Sequence, residues 1–148
     1  MSRLAVLSVF SVSILLALTA CGGRVEDTRP GQPVKHRQDA FQALLDASEP
    51  IGLMLHDRRY DAKRLNELNE ALAQARDVPW RYYGPDTDYP PSKSRPDVWR
   101  EPEKWEAAQQ RFFAAAAALR TAESEAAAQA AYDALRSSCK SCHDVFRR

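Results

Sequence analysis

The sequence predicts an all-α fold, an antiparallel four-helix bundle with a long connection between its second and third helices. Three observations carry this reading. Alanine crowds the second half of the chain while glycine numbers only 5 in 148 residues, a balance that favours helix over sheet. Apolar residues return three and four positions apart in separate stretches, the period of a helix with one buried face. Between the second and third stretches runs a proline-rich segment without that period. The length suits one domain with a single modest core.

The first twenty residues stand apart from the fold. Arg3 precedes an apolar run, Leu4 to Leu18, broken only by Ser8, Ser11 and Ser13 and closed by the small pair Thr19-Ala20. A positive start, an apolar centre and a small-residue end describe a secretion signal over residues 1–20. A transmembrane anchor needs about 20 strongly apolar residues, more than this run supplies. Leu18-Thr19-Ala20-Cys21 resembles the lipobox of bacterial lipoproteins, which implies cleavage before Cys21 and lipidation of its thiol. The alternative is ordinary cleavage leaving Cys21 as a free thiol, a liability in an oxidising compartment. Residues 21–33, with Gly22, Gly23, Pro30, Gly31 and Pro33, read as a flexible tether. Residues 34–148 form the domain. The implied location is the periplasmic side of a bacterial envelope, lipid-anchored, or soluble in the periplasm where Cys21 is unmodified.

The first helix starts at Val34 and buries Phe41, Leu44/Leu45, Ile51 and Leu55, with Pro50 expected to kink it or end it early because proline removes a backbone donor. A turn spans His56 to Tyr60, and Asp61 caps a second helix from Ala62 to Arg76 that repeats Leu65, Leu68, Leu72 and Ala75. Residues 78–101 form an extended crossover anchored at Val78-Pro79-Trp80 and Pro96-Asp97-Val98-Trp99. Pro102 suits the first turn of a third helix, whose inner face carries Trp105, Ala108/Gln109, Phe112, Ala115/Ala116 and Leu119. The chain reverses over Thr121 to Ser124. A fourth helix then lines up Ala128, Ala131, Leu135, Cys139, Cys142 and Phe146. This pattern is that of a bundle.

Lys and Arg total 21 against 20 Asp and Glu, with no basic block, so nothing marks nucleic acid as a partner. The chemistry lies in Cys139-Lys140-Ser141-Cys142-His143. A disulfide between residues three apart would close a tiny loop and stabilise little. A thioredoxin-like pair needs a βαβ setting, and no strand pattern surrounds this one. A zinc site wants four ligands, and no second Cys/His pair stands at a useful spacing. In Cys-x-x-Cys-His the two thiols bond the two vinyl groups of one haem and the next residue presents an imidazole to the iron. The sequence therefore calls for one covalently attached haem c, held by Cys139 and Cys142 with His143 as metal ligand.

Several separated segments then carry a family resemblance: Arg37-Gln38, Tyr60-Asp61, Pro79-Trp80 with Gly84-Pro85, Arg95-Pro96-Asp97-Val98-Trp99, and Cys139 through Arg147. The chain resembles the cytochrome c′ family, class II of the c-type cytochromes, from Val34 to Arg148. Class I cytochromes c place the motif near the N-terminus with a methionine ligand downstream, whereas only five residues follow His143 here. The resemblance implies that Phe41, four residues after Arg37, covers the distal face of the haem. Phenylalanine has no lone pair for iron, so the metal is expected to be five-coordinate and open to small gases, NO or CO. Other candidates for the sixth position are Met54, His56 and His36. Met54 lies about 20 Å along a continuous helix from Phe41, His56 lies farther, and His36 sits about 140° around the helix. The resemblance further implies Arg37 near a haem propionate, Arg147 beside the proximal face, and a homodimer through the first two helices.

No catalytic acid, base or nucleophile stands out, so a haem-binding or electron-transfer protein is expected rather than an enzyme. The chief rival to gas binding is a low-spin periplasmic electron carrier of the cytochrome c-556 type, serving a redox partner that the sequence does not name. A structural helical lipoprotein with an adventitious Cys-x-x-Cys is the third class.

Overall fold

The computed structural model describes residues 26–148. The signal segment and Cys21 lie outside them. The order is α1 (Pro33–His56), α2 (Ala62–Ala75), a 3-10 turn (Pro79–Tyr82), the one-turn α3 (Asp97–Arg100), α4 (Pro102–Arg120) and α5 (Glu125–Phe146). The four long helices are those expected from the apolar period, and α3 is an addition within the crossover.

The stretch read as a tether is partly bound to the domain. Gln32 and Gly31 adopt left-handed backbone, φ 42° and 74°, and turn the chain so that Asp27 reaches back to the start of α1. Its carboxylate accepts the N–H groups of Val34 at 2.9 Å and Lys35 at 3.2 Å, donors that have no partner within the helix. Pro33 already belongs to α1.

Pro50 does not end α1, which runs on to His56. Proline removes one backbone donor, but Ile51, Met54 and Leu55 just beyond it are buried. Their packing outweighs the local preference, since burying such a side chain contributes roughly 1.5–3 kcal/mol. Asp61 caps α2 as expected, accepting the Arg64 N–H at 2.6 Å. Ser124 caps α5, accepting the Ala127 N–H at 3.2 Å.

The long helices close into a bundle in which α1 packs on α2, α4 on α5, α1 on α5 and α2 on α4. Its main core is built mostly from leucine and alanine with Ile51, Met54 and Phe112, the leucines including Leu44, Leu65, Leu72, Leu119 and Leu135. A second, smaller cluster joins Val98, Ala108 and Phe146 with Tyr83, Trp99, Trp105 and Cys142. The crossover clamps the end of α5 beside it: the Arg95 N–H donates to Phe146 O at 2.8 Å and the Arg148 N–H to Lys93 O at 2.7 Å.

Candidate haem site

Cys139 and Cys142 are three residues apart on α5 and therefore share a face, and neither is in a disulfide. The buried stripe of α5 passes through Ser138 rather than Cys139, and the Ser138 hydroxyl is satisfied by Leu135 O at 2.7 Å. The thiols thus sit at the margin of the core, Cys139 exposed and Cys142 half-buried, where a large planar group can lie against the protein. Burial pushes the Cys142 thiol up to about 11, with the neighbouring Cys139 adding to the effect. The Cys139 thiol is raised too: although the residue is exposed, the protein around its sulfur disfavours the thiolate.

His143 follows directly. Desolvation and then the nearby Arg147 charge lower its pKa, favouring the neutral imidazole whose lone pair is free for a metal. Arg147 is exposed at the C-cap of α5, and its backbone bridges Ser94.

Aromatic rings line the ground between this motif and α1. Phe41 meets Trp80 edge-on at 5.5 Å and Tyr83 at 6.4 Å. Tyr83 lies 4.7 Å from Trp105, which is 5.1 Å from Phe146. Since Tyr83 and Trp105 also pack in the cluster of Cys142, Phe41 is joined to the haem motif through one intervening ring. Tyr83 was not anticipated. Its only sequence signal is that it follows Pro79-Trp80, and no periodicity assigns it to a buried face. The expected anchors are in place, with Trp80 Nε1 donating to Arg76 O at 2.7 Å and Trp99 Nε1 to Gly84 O at 3.0 Å.

Arg37 is 3% exposed. Its guanidinium donates to Tyr82 O at 3.1 Å, Thr87 Oγ1 at 3.2 Å, Thr87 O at 3.3 Å and Ser92 Oγ at 2.8 Å. It also lies 4.3 Å from the Tyr83 ring centre. These acceptors are all neutral, and burial lowers the Arg37 pKa. A buried cation without a carboxylate among its hydrogen-bond partners is suited to an anionic group brought in by a ligand.

The other candidates for iron are placed elsewhere. Met54 is 8% exposed within the main core. His56 is at the far end of α1 and bonds to Asp57 at 3.1 Å. His36 stacks on Tyr82 at 5.5 Å. The residues present fit a covalently held haem: two unpaired thiols on one face, an adjacent imidazole whose pKa is lowered, flat aromatic surfaces and a buried cation. Among the described residues no cluster of His, Cys, Asp or Glu forms an alternative metal site.

A family model described as Cytochrome C' matches residues 32–147. The chain belongs to the cytochrome c′ family. It is 27% identical over 124 residues to a cytochrome c′ of Alcaligenes xylosoxydans xylosoxydans, covering 81% of this chain and 96% of that one. It is 28% identical over 124 residues to a cytochrome c′ of Rubrivivax gelatinosus, covering 80% and 96%. The crystal structure of the Rubrivivax protein superposes with a TM-score of 0.75 at 27% identity, over 83% of this chain and all 100% of that one. A ferrous variant of the Alcaligenes xylosoxidans protein with bound NO matches with a TM-score of 0.75 at 26% identity, over 83% and 100%. Cytochromes c′ carry one covalently attached c-type haem, and this chain is a haem protein of that family. The all-α four-helix bundle expected from the sequence is the fold of its structural neighbours.

Proposed function

We propose that this cytochrome c′ binds NO or CO at a five-coordinate haem and also passes single electrons, without acting as an enzyme. Cys139 and Cys142 would hold the haem through thioether bonds, and His143 would bind its iron. Bound haem supplies an iron that takes a diatomic ligand. The protein's part is to orient and enclose it. Phe41, Trp80 and Tyr83 provide an apolar distal wall, Arg37 a cation for a propionate, and Arg147 a charge near His143.

The observation that carries this reading is the edge-on packing of Phe41 against Trp80 and Tyr83 at 5.5 and 6.4 Å. Phe41, a side chain with no lone pair, packs on the edge of the main core where its ring meets Tyr83 of the Cys142 cluster, whereas Met54 is buried inside that core. Solved structures of the Alcaligenes xylosoxidans protein with NO and with CO bound support gas binding as the family's chemistry. Optical spectra of both oxidation states, with and without CO, test the proposal. A high-spin ferrous form that takes up CO is expected. A low-spin form with a bound sixth ligand would establish the electron carrier of the cytochrome c-556 type instead.

The same proposal extends to the leader. Residues 1–20 act as a signal peptide, Cys21 carries lipid, residues 22–26 are what is left of the tether, and the domain faces the periplasm. No helix among the described residues is long and apolar enough to cross a membrane. The attachment proposed for this protein is the acyl group on Cys21. A homodimer through α1 and α2 belongs to this reading as well, supported by Leu45 at 48% and Leu53 at 61% exposure on α1.

A further inference from the structure

We infer that the end of the bundle bearing the tether and the C-terminus of α5 docks on anionic phospholipid headgroups. The inference rests on lipidation of Cys21 and adds to it a second, electrostatic contact that fixes which end of the domain meets the membrane.

The reach of the chain is the first observation. Asp27 is pinned to the domain: its carboxylate accepts the Val34 and Lys35 N–H groups and the Tyr89 hydroxyl at 3.0 Å. Only residues 22–26 separate it from Cys21, so even a fully extended link spans at most about 20 Å. α1, with 24 residues, is about 36 Å long. A lipid at Cys21 therefore keeps the start of α1 near the bilayer, while the helix is long enough to carry its other end well away.

Charge is the second. The pinned end gathers the start of α1, the crossover and the end of α5, tied by Gln38 Nε2 donating to Pro91 O at 3.2 Å and the Arg148 N–H to Lys93 O at 2.7 Å. Its exposed cations, among them Arg29, Arg81, Lys93, Arg95, Arg147 and Arg148, outnumber the exposed anions Glu26, Asp86, Asp88 and Asp144. Arg148 pairs with Asp88 at 3.4 Å, and Arg29 is drawn onto the Tyr89 ring at 3.8 Å. Arg81, Lys93, Arg95 and Arg147 make no ion pair among the described residues. At the opposite end the exposed cations Arg58, Arg59, Lys63 and Arg120 are outnumbered by Asp57, Asp61, Glu70, Glu123 and Glu125, with Arg59 paired to Asp57 at 2.5 Å and Arg120 to Glu70 at 2.8 Å.

Exposed Lys and Arg near a membrane are attracted to anionic headgroups, over a range set by salt screening. A weak contact of that kind becomes effective once a tether raises its local concentration. An acidic protein partner would suit the charge equally, but the short link already presents this end to lipid. His143 stands four residues before Arg147, so the haem motif is held on the membrane side.

Amide hydrogen exchange of the full, haem-loaded lipoprotein tests this, in vesicles of phosphatidylcholine with or without phosphatidylglycerol. In the anionic vesicles, exchange over residues 84–95 is expected to slow several-fold and that over 121–124 to stay unchanged, with high salt reversing the protection. The double variant Arg81→Glu/Lys93→Glu, both sites exposed and outside the haem cluster, should lose the protection while keeping its haem spectrum. Equal exchange in the two vesicle types overturns the docking, as does protection that appears only when an acidic protein is added. The mass of the N-terminal peptide reads the acyl group separately. An unacylated Cys21 would remove the anchor and this orientation together, while acylation without headgroup-dependent protection would refute the docking alone.

Discussion

Gly52→Ala should destabilise this protein, although the same change in an exposed helix normally helps. Gly52 lies inside α1, where alanine is favoured by about 1 kcal/mol over glycine. A Cβ at this position would fall 2.2 Å from the Tyr132 hydroxyl oxygen, 2.5 Å from Cζ and 2.8 Å from Cε1. Carbon atoms in contact sit about 3.5–4.0 Å apart, so the ring must move by more than an ångström. Tyr132 is half-buried on α5, and swinging outward forfeits its packing against the main core. Overpacking of this kind costs about 1–3 kcal/mol, so the propensity gain is outweighed and the net loss is about 0–2 kcal/mol. With Tyr132→Ala in the background the obstruction is gone, and Gly52→Ala should then stabilise by roughly 0.5–1 kcal/mol. Urea denaturation of the four haem-loaded proteins, followed by helical circular dichroism, closes the cycle. A coupling of about 1–3 kcal/mol is expected, in the range of residues in contact. The same change in stability in both backgrounds would refute the close approach of α1 and α5.

Three further outcomes are open to measurement. Burial pulls the Asp27 carboxyl up, but the N–H groups of Arg29, Lys35 and Val34 and the Tyr89 hydroxyl outweigh it and leave its pKa lowered. Its contribution to stability is therefore full above the unfolded value of about 3.9 and disappears as pH falls through the lower folded value. The difference in denaturation midpoint between wild type and Asp27→Asn should shrink below about pH 4, and a difference that persists at lower pH contradicts the latch. Leu119, with 0% exposure in the main core, should lose about 2–5 kcal/mol on truncation to Ala with the haem spectrum unaltered. Phe41→Ala should cost less than the roughly 3–5 kcal/mol of a fully buried phenylalanine and should speed CO association in stopped-flow mixing. An unchanged rate would remove Phe41 from the distal wall.

What the sequence made legible was local. Four long helices follow from apolar spacing, and Asp61 was readable as a cap because its partner, the Arg64 N–H, is three residues away. The haem motif is five adjacent residues, so its chemistry could be read before any fold was known. The expectations that changed depended on distant contacts. Pro50 favours a break by its own chemistry, yet the burial of Ile51 and Leu55 carries α1 through it. Asp27 looked like tether because its partner Tyr89 is 62 residues away. Arg37 was expected at a propionate, and nothing in its neighbourhood foretells hydrogen bonds to Thr87 and Ser92, 50 and 55 residues on. The stripe of α5 was placed one residue off because a serine, Ser138, takes the buried position by bonding back to Leu135 O. Hydrophobicity alone would give that place to the cysteine.

These distant contacts also explain how a bundle of ordinary helices comes to hold a planar cofactor. The leucine and alanine core binds the four long helices together by burial, while rings from the crossover and from α1, α4 and α5 gather at the haem motif. Rings from different segments stay in register only if the crossover is fixed, and it has little period of its own to fix it. Arg37 supplies the restraint. From a single position on α1 it binds Tyr82 O and Thr87 O, backbone on both sides of Tyr83 in the chain, and lies over the ring of Tyr83 itself. Tyr83 is thereby held between Phe41 on one helix and Trp105 on another. A lysine has the charge but not the planar fork that reaches several acceptors at once. The arginine is thus demanded by the protein's own contacts, before any role toward a propionate is considered.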